Sequence, residues 1–296
     1  MVNQQGTLKK DTSETIRITN CNKILNKAFI NWFTGYIEGN ENVFIVNRRY
    51  LRFELNVSIK NESIIYLIKN TLKFGNIRKL RFLDTIILEF SIQDNYYDLL
   101  KLINIFNGNL RCKYKEQQFK MFYNKLKIKL KKLNLLELLP VYIEKTKLIN
   151  LSNSWLLGYI DSGRVLLSAR WHKSKLLKDG KNLYLSCIFW HLNKELLQQI
   201  KEIFESNSQI EEKTKWNLPF YKLTILKKNE KNKIMNYLLK YKLKSKKINR
   251  FKYWKILLNI ENKYLETDSQ NLDLEKIEKI LKKFNSTINE DELSKI

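Results

Sequence analysis

The sequence predicts an α+β protein built as two pseudo-symmetric αββαββα halves that pack through a pair of short helices. Three observations predict it. The segment Trp32-Phe33-Thr34-Gly35-Tyr36-Ile37-Glu38-Gly39-Asn40-Glu41 returns in altered form as Trp155-Leu156-Leu157-Gly158-Tyr159-Ile160-Asp161-Ser162-Gly163-Arg164, with Gly35 and Gly158 standing 123 residues apart. Behind each copy come two alternating segments, a helical stretch and two more alternating segments. The apolar content, 44% of 296 residues, is enough to fill such a core.

The elements follow in order. Residues 31–39 read as a short buried helix whose Gly35 lets another helix approach closely, and 154–162 as its counterpart. Residues 43–46 and 51–59 alternate as a hairpin across a basic turn at Arg48 and Arg49. Helical spacing spans 62–74, with Gly75 placed as its C-cap. Strands over 76–80 and 84–92, a helix over 96–106 stopped by Asn107-Gly108-Asn109, and a basic helix over 117–132 complete half one. Half two gives strands over 165–174 and 183–190 around a turn at Asp179-Gly180, then a helix over 194–204. Strands over 209–213 and 221–226 follow across a turn near Asn217 and Pro219, then helices over 231–241, 250–258 and 274–284. The expected division is an arm over 1–27, a first half over 28–135, a second over 136–265, and a helical C-terminal extension over 266–296. The join falls near 133–153, and 266–271 is the expected flexible link.

Lys and Arg number 55 against 30 Asp and Glu, a formal charge of +25, which favours a polyanion partner. AT-rich codon usage is the bland alternative. Alanine occurs only at Ala28 and Ala169, while Ile, Leu, Lys and Asn crowd every segment, as in a gene from an organelle genome. That composition places the protein in the mitochondrion, with the plastid as alternative, where a locally encoded chain needs no transit peptide. Residues 1–20 mix Asp11 and Glu14 with polar residues and lack a signal-like apolar core. No apolar run approaches the ~18 residues of a membrane span, so no membrane partner is expected. Cys21, Cys112 and Cys187 are odd in number and scattered, which argues for a reducing compartment, and His172 and His191 lack partners at zinc-ligand spacing.

The doubled motif resembles that of the LAGLIDADG homing endonucleases and intron maturases, in their double-motif single-chain form. The resemblance rests on Phe33-Thr34-Gly35-Tyr36-Ile37-Glu38-Gly39, on Leu156-Leu157-Gly158-Tyr159-Ile160-Asp161, on the matching order of elements, and on Phe106-Asn107-Gly108-Asn109-Leu110-Arg111. It implies a monomer with an internal pseudo-two-fold axis. The motif helices would pack side by side through Gly35 and Gly158, and each four-stranded sheet would form one arm of a saddle over nucleic acid. It also implies that the final acid of each motif holds Mg²⁺, which activates water and neutralises charge on the phosphate. Here Asn40 and Gly163 occupy those final positions, and Arg164 follows Gly163. Glu41, three residues before Phe44, would restore the first acid only through an inserted residue. The expectation is therefore no catalytic residue, no metal ligand and no cofactor. If the chain is active, Glu38, Glu41 and Asp161 are the catalytic candidates, with Glu41 and Asp161 on Mg²⁺.

Candidate nucleic-acid contacts are Arg48, Arg49, Arg52, Lys60, Arg78, Lys79 and Arg81 in half one. Half two offers Arg170, Lys173, Lys175, Lys178, Lys181, Lys213, Lys215 and Lys222. Strand residues alternate between faces, so only about half can share one surface. Lys and Arg on phosphates would set affinity and salt dependence. Trp171, Trp190 and Trp216 either fill a core or stack on unpaired bases. The interleaved zone over 240–255 is either a solvated helix face or an added RNA contact. The function expected is a cleavage-inactive nucleic-acid binder holding structured RNA in preference to double-stranded DNA, as a ribosomal component on its subunit or as a splicing maturase. The alternative is an active or nicking metal-dependent DNA homing endonuclease.

Overall fold

The computed structural model describes residues 25–40, 43–47, 50–80, 83–91, 95–144, 147–173, 181–215, 218–267 and 274–287. The first half runs α1 (Lys27–Glu38), β1 (Phe44–Val46), β2 (Leu51–Ser58), α2 (Glu62–Leu72), β3 (Asn76–Leu80), β4 (Thr85–Ser91), α3 (Tyr96–Phe106) and α4 (Lys113–Lys132). The second runs α5 (Trp155–Tyr159), extended by a wide helical turn over Ile160–Arg164, then β5 (Val165–Lys173), β6 (Lys181–His191), α6 (Lys194–Ile203), β7 (Ile210–Lys215) and β8 (Leu218–Ile225). Helices α7 (Lys228–Lys240), α8 (Lys247–Thr267) and α9 (Leu274–Asn285) close the chain. Both sheets are antiparallel and four-stranded, ordered β1-β2-β4-β3 and β5-β6-β8-β7.

Helix α1 starts where Asn26 accepts the Ala28 N–H at 2.8 Å. From Trp32 to Glu38 it is buried on every side, because it lies between the two halves. An added Cβ on Gly35 would stand 1.9 Å from the Trp155 carbonyl oxygen, and one on Gly158 would stand 1.8 Å from that of Trp32. The two glycines thus receive each other's helix backbone. Ser154 Oγ donates to Ala28 O at 2.6 Å, tying the helix starts together.

In each sheet one face packs on helices. Leu51, Phe53, Leu55 and Val57 of β2 and Ile86, Leu88 and Phe90 of β4 point into a core with Phe33, Phe44, Phe106, Phe119 and Phe122. Val165, Leu167 and Ala169 of β5 and Leu185, Cys187 and Phe189 of β6 do the same in half two. The alternate residues face away. Arg250 of α8, 3% exposed, donates to Leu167 O at 2.7 Å and lies 3.9 Å from the Phe284 ring centroid, which pins α9 behind the second sheet.

Several boundaries differ from the sequence reading. Helix α2 ends at Lys73, whose φ of 65° supplies the left-handed turn assigned to Gly75; Gly75 itself has φ 91° and lies against Phe90. Pro219 pairs with Thr214 inside β8 rather than turning the chain. Helix α4 begins four residues early, with Glu38 accepting the Arg111 and Cys112 amides just ahead of its first residue. Gly163, with φ 98°, breaks the second motif helix and sends the chain into β5 at Val165. The join packs on half one: Asn107 Nδ2 donates to Val141 O at 2.7 Å, Ile143 N donates to Asn107 Oδ1 at 2.8 Å, and Tyr142 stacks on Phe119. The turn at Asp179-Gly180 and most of the expected flexible link lie outside the described residues. Among the described residues, no helix is long and apolar enough to cross a membrane.

Candidate nucleic-acid interface

At the centre, each motif carries a tryptophan that serves the other motif's acid. Trp32 Nε1 donates to Asp161 Oδ2 at 2.9 Å, and Trp155 Nε1 donates to Glu38 Oε2 at 2.5 Å. Most of the remaining lone pairs are taken by donors just ahead of later helices. Glu38 Oε1 accepts from Arg111 N and Cys112 N, each at 2.6 Å, ahead of α4. Asp161 accepts from Lys244 N at 3.1 Å and from Ser245 N and Oγ at 3.0 and 2.6 Å, ahead of α8. Each carboxylate therefore sits where a helix start concentrates positive partial charge. Burial raises both acids above the ordinary carboxylate range, and these hydrogen bonds oppose the rise.

The helix ends beyond these acids hold no described carboxylate. Asn40 Nδ2 donates back to Tyr36 O at 2.6 Å. Arg164 Nε donates to Gly39 O at 2.7 Å, Lys115 Nζ to Asn40 O at 2.7 Å, and Lys247 Nζ to Val165 O at 2.7 Å. Mg²⁺ takes anionic oxygens whose lone pairs are open to it, with several retained waters. Glu38 and Asp161 have their oxygens occupied, and the groups around the helix ends are cations and amides, so the described residues do not fit a divalent ion. Glu41 lies outside the described residues. Lys115 and Lys247 were not distinguished by sequence, because nothing in their spacing separates them from the other lysines.

The open faces of the sheets carry some of the expected cations and set others aside. On the first sheet Arg52 and Arg78 face outward, but Glu54 and Glu89 face each other across β2 and β4 on the same surface. Arg52 pairs with Glu54 at 2.8 Å, and Arg78 with Glu89 at 2.7 Å. Lys79 is on the opposite, helix-covered face, where it pairs with Glu62 of α2 at 2.8 Å, because strand alternation separates it from Arg78. Lys60 is exposed in the short turn after β2.

On the second sheet Arg170 lies over the Tyr184 ring at 5.1 Å, while Lys213 and Lys222 share Glu211 at 2.9 and 3.8 Å. The acids Glu54, Glu89 and Glu211 were missed, although alternation places Glu54 on the face of Arg52. Lys173, Lys181 and Lys215 hold strand-end positions, described for backbone only. Arg48, Arg49, Arg81, Lys175, Lys178 and Trp216 lie outside the described residues. Trp190 is on the open side of β6 but 3% exposed, and Trp171 packs on the helix-covered side. In the zone over 240–255, Phe251 and Trp254 are buried.

A family model described as LAGLIDADG endonuclease matches residues 156–258. The chain is 30% identical over 268 residues to "Probable intron-encoded endonuclease 4" of Neurospora crassa, covering 89% of this chain and 45% of that protein. It is 27% identical over 182 residues to "Intron-encoded RNA maturase bI4" of Saccharomyces cerevisiae, covering 62% and 25%. The chain thus spans less than half the length of either curated relative. Among solved structures, the meganuclease I-SmaMI bound to uncleaveable DNA superposes with a TM-score of 0.64 at 18% identity, over 86% of this chain and 95% of that one. The LAGLIDADG homing endonuclease I-LtrWI bound to target DNA gives 0.63 at 18%, over 88% and 98%. At these identities the structures establish a shared fold.

Proposed function

From a chain that belongs to the LAGLIDADG family in its double-motif, single-chain form, we propose a nucleic-acid binder that has given up cleavage and holds structured RNA inside the mitochondrion. The observation that carries this reading is the use of both motif acids as structural acceptors, with Asn40, Gly163 and Arg164 at the helix ends. Carboxylates that already accept three or four hydrogen bonds from the chain itself leave at most one lone pair for a metal. The name of the yeast relative, an RNA maturase, supports RNA as the ligand. The charge of +25 supports a polyanion of either kind. A splicing maturase and a component of an organelle ribosomal subunit are the two roles this binder fits, and neither calls for a cofactor. The AT-rich composition supports mitochondrial expression.

A second reading is a Mg²⁺-dependent DNA endonuclease, favoured by the name of the Neurospora relative. It would depend on Glu41 or Glu38 acting with Asp161. One experiment separates the two. The full chain is incubated with the intron-free host gene in Mg²⁺ or Mn²⁺, and unfolding of the protein is followed with and without the metal. The binder leaves the DNA intact, and Glu38→Gln and Asp161→Asn each lose about 1–3 kcal/mol of stability regardless of metal. Metal-dependent cleavage abolished by Glu41→Gln overturns the proposal.

A further inference from the structure

At the start of α1, Arg111 and Lys147 both donate to Asn109, and Arg111 also reaches Asn31, whose side chain holds the Lys27 carbonyl. Arg111, 3% exposed, donates Nε to Leu148 O at 3.3 Å, Nη1 to Asn109 O at 3.4 Å and Nη2 to Asn31 Oδ1 at 3.3 Å, and lies 5.5 Å from the Trp155 ring centroid. Asn31 Nδ2 donates to Lys27 O at 2.9 Å. On the other side, Lys147 donates its ammonium to Asn109 Oδ1 and its backbone N–H to Leu110 O at 2.9 Å. Lys27 and Lys147 are exposed, so the cluster opens to solvent above a buried guanidinium.

The side-chain hydrogen bonds described for Arg111 and Lys147 end on carbonyl or amide oxygens, and Lys27 stands exposed beside them. Glu38 is the carboxylate that acts on Arg111, and its oxygens are occupied by Arg111 N, Cys112 N and Trp155. Lys147 is held below the ordinary lysine range, first by burial and then by Arg111 and Lys27. Like charges gathered around neutral amides repel, and the arrangement is relieved by an anion that accepts from several of them at once. A tetrahedral oxyanion has the charge and the number of acceptors that two ammonium groups and a guanidinium require.

We infer that Lys27, Arg111 and Lys147 form an oxyanion site for a phosphate group of a nucleic-acid backbone, at the opposite end of α1 from the open sheet faces. The helix spans about 16 Å between these ends at 1.5 Å per residue. The site gives the proposed binder a second contact region. It rests on that reading only for the source of the phosphate, since inorganic phosphate presents the same oxygens.

The test is amine labelling of the full chain, read residue by residue by mass spectrometry. It is run with no addition, with inorganic phosphate, and with an RNA duplex at the same ionic strength. RNA is expected to slow labelling of Lys27 and Lys147 about fivefold at concentrations where inorganic phosphate has no effect. Protection by phosphate alone keeps the oxyanion site and assigns it to free phosphate, even if no nucleic acid binds and the functional reading fails. Protection by neither, or protection confined to Lys213 and Lys222, overturns the inference. As a second measurement, Lys27→Gln combined with Lys147→Gln should weaken RNA binding about tenfold and reduce the salt slope by about one, with an unchanged unfolding midpoint. Unchanged affinity and slope would also overturn it.

Discussion

Glu38 and Asp161 show how a charged side chain becomes part of a helix interface. Each accepts an indole N–H from the opposite motif and backbone amides from a distant helix start, so one residue joins three parts of the chain. Removing such an acceptor strands several buried donors together, which costs more than the net worth of one hydrogen bond. His191 is the neighbouring titratable group. Its Nδ1 accepts from Asn193 N at 3.0 Å, so the neutral ring presents Nε2–H to the Glu38 carbonyl at 3.2 Å. Burial foremost, and Arg164 next, push it down to about 3. Between about pH 6.5 and 3 the unfolded ring binds a proton that the folded ring refuses, so this residue's contribution to stability falls as pH falls. The slope is at most about 1.4 kcal/mol per pH unit. Denaturant unfolding of wild type and His191→Gln across pH 7 to 4 should diverge by this dependence, the variant being flatter.

Among elements, the motif helix pair is the most exacting. Trp32 and Trp155, Gly35 and Gly158, and Glu38 and Asp161 all share the 123-residue spacing, so the geometry of one crossing is written twice. Gly35→Ala and Gly158→Ala each drive a methyl group into a main-chain carbonyl that has no room to withdraw. Each should cost roughly 3 kcal/mol or prevent folding, read as the loss of cooperative thermal unfolding by circular dichroism. Alanine elsewhere in a helix would be favourable, so a stabilised variant would refute this packing. The strands were legible because their alternation is period two, and the helix boundaries less so. Lys73 could take a left-handed turn without glycine, and a carboxylate from another element holds the Arg111 and Cys112 amides that lead into α4.

For the whole molecule, charge is distributed differently from the pattern that composition suggests. On the open sheet faces Arg52 and Arg78 spend much of their charge on Glu54 and Glu89, while Lys213 and Lys222 meet Glu211. A concentrated surplus lies on α4, where Lys125, Lys127, Lys129, Lys131 and Lys132 fall in the last turns and also complement the helix C-terminus. On the open face of the second sheet Arg170 lies over the Tyr184 ring, and Lys222 stands farther from Glu211, at 3.8 Å, than Lys213 does. Replacing Arg170 and Lys222 with Ala should weaken nucleic-acid binding and lower the slope of log K against log salt by about 1.5. The same change at Arg52 and Arg78 should appear chiefly as lost stability, because it leaves Glu54 and Glu89 facing each other without a cation. Binding titrations at several salt concentrations, paired with unfolding curves, distinguish the two.

By itself the sequence determined the family, the doubled fold and the glycine contacts, because a repeat with intact periodicity specifies the same helix crossing and the same sheet twice. It also marked Asn40, Gly163 and Arg164 as residues without a carboxylate. Only the tertiary structure decided what the two remaining acids do, since their partners Trp155, Cys112, Trp32 and Ser245 lie 74 to 129 residues away. It also decided which cations face outward and which are already neutralised. Pairing across strands depends on register, and a lysine's partner is whatever the fold brings within a few ångströms, which no local pattern records.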